Sequence, residues 1–330
     1  MTGFSFSLGQ QEFRDLMRDV ISTRLHAFAK GTYSNLRTQF RNYFGFCVYF
    51  GRVPLPSNVE TICGFAQFLS RSMTPPSIRN YLSGVKMLHI FLGYEYTFTD
   101  DFHLHLTVRG IERIHLHVPR RARPITPAIL LAIQQRSSSF SSLHRSVFAC
   151  ALFLFFTMAR AGSILPASHC TPHHLFLTRN RVNFSREGIL VTLLHTKNIQ
   201  FGRRRLHIPL LHTGSRLCPV SAYQASLLGL PVHYTPAFVY VLGGKVKWLT
   251  KSIFIEVFRC LLRGSGFADS SAFTGHSFRR GGASWAFRAG VPGELIQVCG
   301  DWASDAYKKY LEFNMQNKLD LAALLIRGLP

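Results

Sequence analysis

Two residues near the end of the chain, His276 and Arg279, stand three apart within the run Gly275 to Gly282. On a helix that spacing puts both side chains on one face. An arginine fork grips two non-bridging oxygens of a phosphodiester, and an imidazole adds a hydrogen bond or a proton near neutral pH. Alone, this pair recurs by chance in many helices, and a lone histidine is more often a satisfied structural one. Other reactive side chains follow it: Trp302 after Gly300 and Asp301, then Tyr307 and Tyr310. Upstream, Arg160 directly follows an apolar run, where an unpartnered charge is costly and a ligand role is favoured. Lys197 opens a polar segment that reads as a turn. Together these residues suit chemistry on a phosphate ester.

The charge balance points to the same substrate class. Lys and Arg number 38 against 16 Asp and Glu, a net charge of +22 over 330 residues. Such an imbalance implies a polyanionic partner, nucleic acid before membrane. Arg79 and Lys86 fall off the apolar face of their helix. Arg120, Arg121 and Arg123 lie in a Pro-rich stretch, Arg203, Arg204 and Arg205 follow Lys197, and Arg280 follows Arg279. All nine are candidate contacts to a DNA backbone, with a solvated basic face as the plainer alternative.

Several classes are excluded or disfavoured. The longest apolar run, Val147 to Phe156, is well short of the about 18 residues a membrane-spanning helix needs. The opening residues lack a basic segment followed by an apolar core, so no secretory signal is expected. The seven cysteines are scattered without a CxxC pair and read as reduced thiols of an intracellular protein. His169, Cys170, His173 and His174 match no standard zinc spacing and offer one thiol, so no metal is expected.

The elements that must position these residues are mostly helical. Residues 8–116 carry helical periodicity almost throughout. Leu36, Phe40, Tyr43, Phe44, Cys47 and Phe50 form one stripe, and Ile78, Tyr81, Leu82, Val85, Leu88 and Phe91 another. A helix is also expected over Glu60 to Ser70. Residues 118–125, rich in proline and arginine, read as a linker. Thr126 and Pro127 suit an N-cap and first helical position. The expected organisation is a helical DNA-binding domain over 1–117 and a second domain over 126–330. Within the second domain the period changes. Gly188 to His195 reads as a strand, 197–202 as a turn and Arg205 to Leu210 as a return strand. Helical patterns resume at Pro219 to Leu228, at Thr250 to Arg263 and from Ser277 onward. The fold class expected is therefore mainly α, with a small β-hairpin or three-stranded sheet.

In this order the motifs resemble the tyrosine recombinase (phage-type integrase) family. That family has an early arginine, a β-hairpin lysine, an H-x-x-R pair, a His or Trp, and a tyrosine nucleophile. The matching positions here are Arg160, Lys197, His276 with Arg279, Trp302 and Tyr310. The wording of 276–287 and 300–311 is most similar to recombinases of eukaryotic DIRS-type retrotransposons and Cryptons. The resemblance covers nearly the whole chain. It implies a two-domain clamp on double-stranded DNA, with a helical core-binding domain ahead of the catalytic one. It implies cleavage and rejoining through a 3′-phosphotyrosyl link without metal or cofactor, by a homo-tetramer on paired sites, in the nucleus of a eukaryotic host. Tyr310 is preferred to Tyr307 as nucleophile on spacing. The tail, Asn314 to Leu325, is a candidate for a helix exchanged between protomers.

There are two departures, one of them the second tyrosine, Tyr307, on the same expected helix as Tyr310. In the other, Ser163 stands where the family often has an acidic residue three positions after its first arginine. Other readings are a degenerate or domesticated copy that binds DNA without cleaving it, a basic structural protein, and a type IB topoisomerase.

Overall fold

The structure is a computed structural model. It describes residues 6–118, 121–136, 139–200, 202, 204–230 and 235–311, with Leu319, Ala323 and Ile326 beyond them. The chain divides into two compact units, residues 1–120 and 121–330.

Among its described residues the first unit has five α-helices, α1 (Phe6–Leu25), α2 (Lys30–Tyr49), α3 (Val59–Ser70), α4 (Pro75–Phe91) and α5 (Phe102–Ile114), with a 3₁₀ turn at Phe98–Asp100. Asn58 and Asp101 accept bonds from the amides of Thr61 and Leu104, which starts α3 and α5 where the chain turns. The core joins Tyr43, Phe46 and Cys47 of α2 to Ile62, Phe65 and Leu69 of α3, with Ile78, Val85 and Leu88 of α4 and Val108 and Ile111 of α5. The buried stripe of α2 is narrower than expected. It runs through Leu36, Gln39, Tyr43, Phe46 and Cys47, whereas Phe44 and Phe50 face outward. Phe44 lies off the line that steps of three and four trace from Leu36, and Phe50 is the C-cap, past the last turn of the helix. Phe46 instead meets Phe65, with ring centroids 5.2 Å apart.

The second unit is built on a buried helix. α6 (Pro127–Gln134) starts as expected, with the Thr126 hydroxyl accepting from the Ile129 amide. α7 (Ser142–Thr157) is buried along Val147 to Phe155. Around it pack α9 (Pro219–Leu227), α10 (Lys251–Gly264) and α11 (Gly275–Arg288). α8 (Ala161–Ile164) is a single turn, and α12 (Gly293–Cys299) follows α11. α11 closes tightly on its neighbours. A Cβ on Gly281 would sit 1.9 Å from the Ile125 carbonyl oxygen, and one on Gly282 would sit 2.1 Å from that of Phe155. No residue with a side chain fits at either place. Arg123 and Ile125 donate their amides to the Ala272 and Ser277 carbonyls, so this part of the Pro-rich stretch is bonded into the second unit.

The expected sheet is present as β1 (Val182–Phe184), β2 (Gly188–Leu193) and β3 (Leu206–Leu211), antiparallel in the order β1-β2-β3. Leu193 pairs with Leu206, so residues 194–205 form the connection that carries Lys197. A second hairpin, β4 (Val239–Leu242) and β5 (Lys245–Trp248), was not anticipated. Its turn residues, Gly243 and Gly244, both have positive φ, as a two-residue hairpin turn demands. β4 packs on α7.

Among the described residues, no helix is long and apolar enough to cross a membrane. Among them, too, no group of three His, Cys, Asp or Glu side chains is placed to hold a metal. His169 and His173 lie against the Trp248 ring, 5.5 and 5.7 Å between centroids. All seven cysteines are free thiols.

Candidate active site

The site forms where two helix termini meet. α7 ends at Met158, whose left-handed φ of 51° turns its carbonyl off the helix axis. Two residues later Arg160 occupies the N-cap of α8 with its side chain about a quarter exposed. α11 begins in a capping box: the Thr274 hydroxyl accepts from the His276 amide, and the Thr274 amide donates to the Ser277 hydroxyl at 2.9 Å. That register leaves His276 at the surface of the first turn, only partly covered, and sends Arg279, one turn on, into the interior.

Arg279 is 1% exposed. Its Nη1 donates to the carbonyls of Met158 and Gly300. Its guanidinium carbon lies 3.5 Å from the centroid of the Trp302 ring and 5.8 Å from that of Tyr310. Nε and Nη2 are buried and have no hydrogen-bond partner, and neither has Nε1 of Trp302. A buried donor left unpaired costs about 1–3 kcal/mol, and more when charged. Three such donors around one guanidinium make a site built for an anion. Burial, and then the neighbouring Arg160, loosens the hold of Arg279 on its proton, while Tyr310 and Asp301 oppose that.

Gly300 makes room for this arrangement, since a Cβ there would fall inside the Trp302 ring. Asp301, next to it, is 4% exposed and has a φ of 52°. Its carboxylate accepts from the Thr196 hydroxyl, pairs with Arg204, and lies 3.9 Å from Nη1 of Arg160. Its carbonyl accepts from Nδ2 of Asn198 at 2.6 Å. The connection bearing Lys197 is thereby tied to the floor of the site.

The electrostatics locate the remaining cations. The imidazole of His276 is held below its ordinary value, by partial burial first, then by Arg279, Lys251, Arg160 and Lys197. His276 therefore holds a proton less readily than a free imidazole. Lys251 and Asp301 both belong to this constellation, and neither was singled out from the sequence. Lys251 is the first residue of α10, separated from Lys197 by more than fifty residues with no local signal. Asp301 had one cue, an acid beside the site tryptophan in a basic chain.

The two tyrosines part company. Tyr307 is 7% exposed and packs with Trp302, Ile296 and Leu311. Its hydroxyl fills the space beside Gly293, where a Cβ would come within 2.3 Å of it. Tyr310 is half-buried at the end of the 3₁₀ turn Asp305–Tyr310, with its ring 5.5 Å from that of Trp302. Ser284 of α11 donates to its carbonyl at 2.9 Å.

Arg160, His276, Arg279, Trp302 and Tyr310 are thus brought together, with Lys197 on the adjoining connection. The basic residues expected along DNA are more varied. In the first unit Arg79 pairs with Glu112 at 2.7 Å, and Lys86 donates to the Thr99 hydroxyl at 2.9 Å. In the second, Arg123 faces Asp269 at 3.5 Å and Arg204 holds Asp301. Arg121 and Arg205 are exposed, and Arg280 is half-buried. Arg120, Arg203 and nearly all of the tail from Asn314 to Leu325 lie outside the described residues. Ser163 is buried on α8, and its amide donates to the Arg160 carbonyl.

No family model matches the sequence, and no curated protein matches it. Solved structures do. XerH site-specific recombinase bound to palindromic difH substrate superposes with a TM-score of 0.62 at 14% identity, over 93% of this chain and 83% of that one. The Tn1549 transposon integrase in complex with transposon right end DNA gives 0.60 at 12%, over 93% and 98%. A lambda integrase dimer bound to a COC′ core site gives 0.59 at 16%, over 92% and 95%. At such identities the likeness speaks for architecture: this chain, mainly helical with a small antiparallel sheet, has the fold of the tyrosine recombinases.

Proposed function

We propose that the protein is a site-specific DNA recombinase or integrase that cuts and rejoins strands through a 3′-phosphotyrosyl intermediate. The observation that carries this reading is Arg279: a fully buried guanidinium with two unpartnered nitrogens, stacked on Trp302 and beside Tyr310. The site wants an anion, and the Tyr310 phenol lies beside it.

In the proposed step the Tyr310 phenol oxygen attacks phosphorus while its proton passes to His276. The bond from phosphorus to O5′ breaks, and Lys197 gives O5′ its proton. The products are a phosphotyrosyl ester and a free 5′-hydroxyl. Arg160 and Arg279 neutralise the charge that builds on the non-bridging oxygens, and the Trp302 indole N–H adds a third donor. Rejoining reverses these transfers with the hydroxyl of another strand, so no outside energy source enters.

Three further features belong to the proposal. The substrate is double-stranded DNA, which the net charge of +22 favours. Residues 1–117 supply the core-binding domain of a clamp, and 118–125 link it to the catalytic domain at 126–330. The protein works as a homo-tetramer on paired sites of a mobile element of the DIRS or Crypton kind, in the nucleus. The reading as a degenerate copy drew on Ser163. Against it, Asp301 brings a carboxylate to Arg160 from elsewhere in the chain.

The test is covalent capture. A library of duplexes with randomised cores, nicked so that the cleaved fragment diffuses away, is incubated with wild type, Tyr310→Phe and Arg279→Ala. A detergent-resistant protein–DNA band from wild type alone is expected. Retained binding to the library with no covalent band from any protein overturns the strand-transfer reading in favour of a DNA-binding protein.

A further inference from the structure

We propose that Asp301 is the positioning residue for Lys197, holding the general acid of the reaction above the leaving oxygen. The inference rests on the strand-transfer reading and deepens it. The connection between β2 and β3 is twelve residues long, and a lysine on such a segment has no fixed place unless something clamps the backbone around it.

Asp301 supplies that clamp at three points. Its carboxylate accepts from the Thr196 hydroxyl, one residue before Lys197. Its carbonyl accepts from the Asn198 amide group, one residue after. The other carboxylate oxygen pairs with Arg204, where the connection returns to β3. The Thr196 hydroxyl is itself the hub of the turn. It accepts from the amides of Asn198 and Ile199, both at 3.1 Å, while it donates to Asp301. Lys197 therefore sits at the apex of a small turn whose centre is anchored on one buried acid.

The conformation of residue 301 fits the assignment. A left-handed φ of 52° is tolerated by aspartate better than by most residues. With it, the side chain and the carbonyl of residue 301 both reach the connection, and the next residue, Trp302, stacks with Arg279. Burial makes the arrangement stiff: the carboxylate is 3% exposed, and its charge is matched by Arg204 and faced by Arg160. The same acid thus sets the distance between the phosphate-binding arginines and the proton donor. Lys197 remains the catalytic residue, and Asp301 acts through it.

The test uses a leaving group that needs no proton. Two nicked substrates carry the duplex that wild type captures from the randomised library. One has the natural phosphodiester, and the other has sulfur in place of the bridging 5′-oxygen. A thiolate is a far weaker base than an alkoxide and departs unprotonated. Asp301→Asn is expected to slow covalent linkage on the phosphodiester by about 10²-fold. Thr196→Val, which removes one link and leaves the charges intact, should slow it in the same direction. On the sulfur substrate both variants should approach the wild-type rate, as Lys197→Ala should. Adding Asp301→Asn to Lys197→Ala should cost nothing further on the phosphodiester. An equal loss on both substrates by both variants, or an additive loss in the double variant, overturns the assignment. Absence of any wild-type adduct on either substrate fails the reaction itself, and the two failures are told apart.

Discussion

The guanidinium carbon of Arg279 lies over the indole of Trp302, 3.5 Å from the ring centroid, with both groups buried and with donors on each left unpaired. The stack explains how a charge survives in an apolar setting. The ring face supplies negative quadrupole, the carbonyls of Met158 and Gly300 take one nitrogen, and the other two are kept ready. A site of this kind should be stabilised by any small anion.

Inorganic phosphate should therefore raise the melting temperature of the wild-type protein, by mass action on the folded state. Arg279→Gln should abolish that response, since the amide carries no charge. In the cleavage assay, Arg279→Ala should lower covalent linkage by about 10²–10³-fold, the loss typical of a missing donor to transition-state charge. A thermal scan with and without phosphate checks the first expectation, and an unchanged response in Arg279→Gln would place the anion elsewhere.

The two tyrosines should separate stability from chemistry. Tyr307 is buried among Trp302, Ile296 and Leu311, so Tyr307→Ala should cost about 3–5 kcal/mol, as for other large aromatic truncations. Tyr307→Phe should leave covalent linkage intact. Tyr310→Phe should abolish linkage and leave the melting temperature near that of wild type. Denaturation curves beside the covalent assay decide this, and linkage lost in Tyr307→Phe would move the nucleophile.

What the sequence could show of this site follows from how local each signal is. His276 and Arg279 share one helix, and the apolar run before Arg160 is contiguous. Trp302 and Tyr310 belong to one short segment. Each is readable because its partner is a few residues away. Asp301 is not, because the Thr196 hydroxyl it receives is 105 residues distant. Lys251 acts on His276 from a different helix, in the first turn of an element that looks ordinary in sequence. The three-stranded sheet was visible in the β-branched run from Gly188. The hairpin at Gly243 and Gly244 was not, since four-residue strands give too few alternations to stand out. Phe46 is buried against Phe65 of α3, with ring centroids 5.2 Å apart, a partner that no pattern within α2 records.

Binding to DNA should be strongly salt-dependent. A net charge of +22 and the exposed Arg121 and Arg205 place several cations within reach of phosphates. A clamp with six to ten phosphate contacts loses about 10³–10⁵ in affinity between 50 and 200 mM salt. Titration of a fluorescent duplex across that range measures the slope, and a flat response would be incompatible with a clamp.

His276 should act as a reporter of the cations around it. Partial burial, and then Arg279, Lys251, Arg160 and Lys197, hold its imidazole below the ordinary value of 6.5. The folded protein thus resists a proton that the unfolded chain accepts. As pH falls from about 6.5 towards the folded value, the unfolded state takes up more protons and wild type loses stability relative to His276→Gln. Above about 6.5 that difference should be constant. Lys251→Ala removes one of the four cations, so the His276 midpoint followed by NMR should rise towards 6.5 in that variant. Phosphate in the Arg279 site should raise it as well, because the anion offsets the same cations. If His276 titrates at 6.5 or above in the free wild-type protein, Lys251 and Lys197 do not reach it, and the proton path from Tyr310 needs another acceptor.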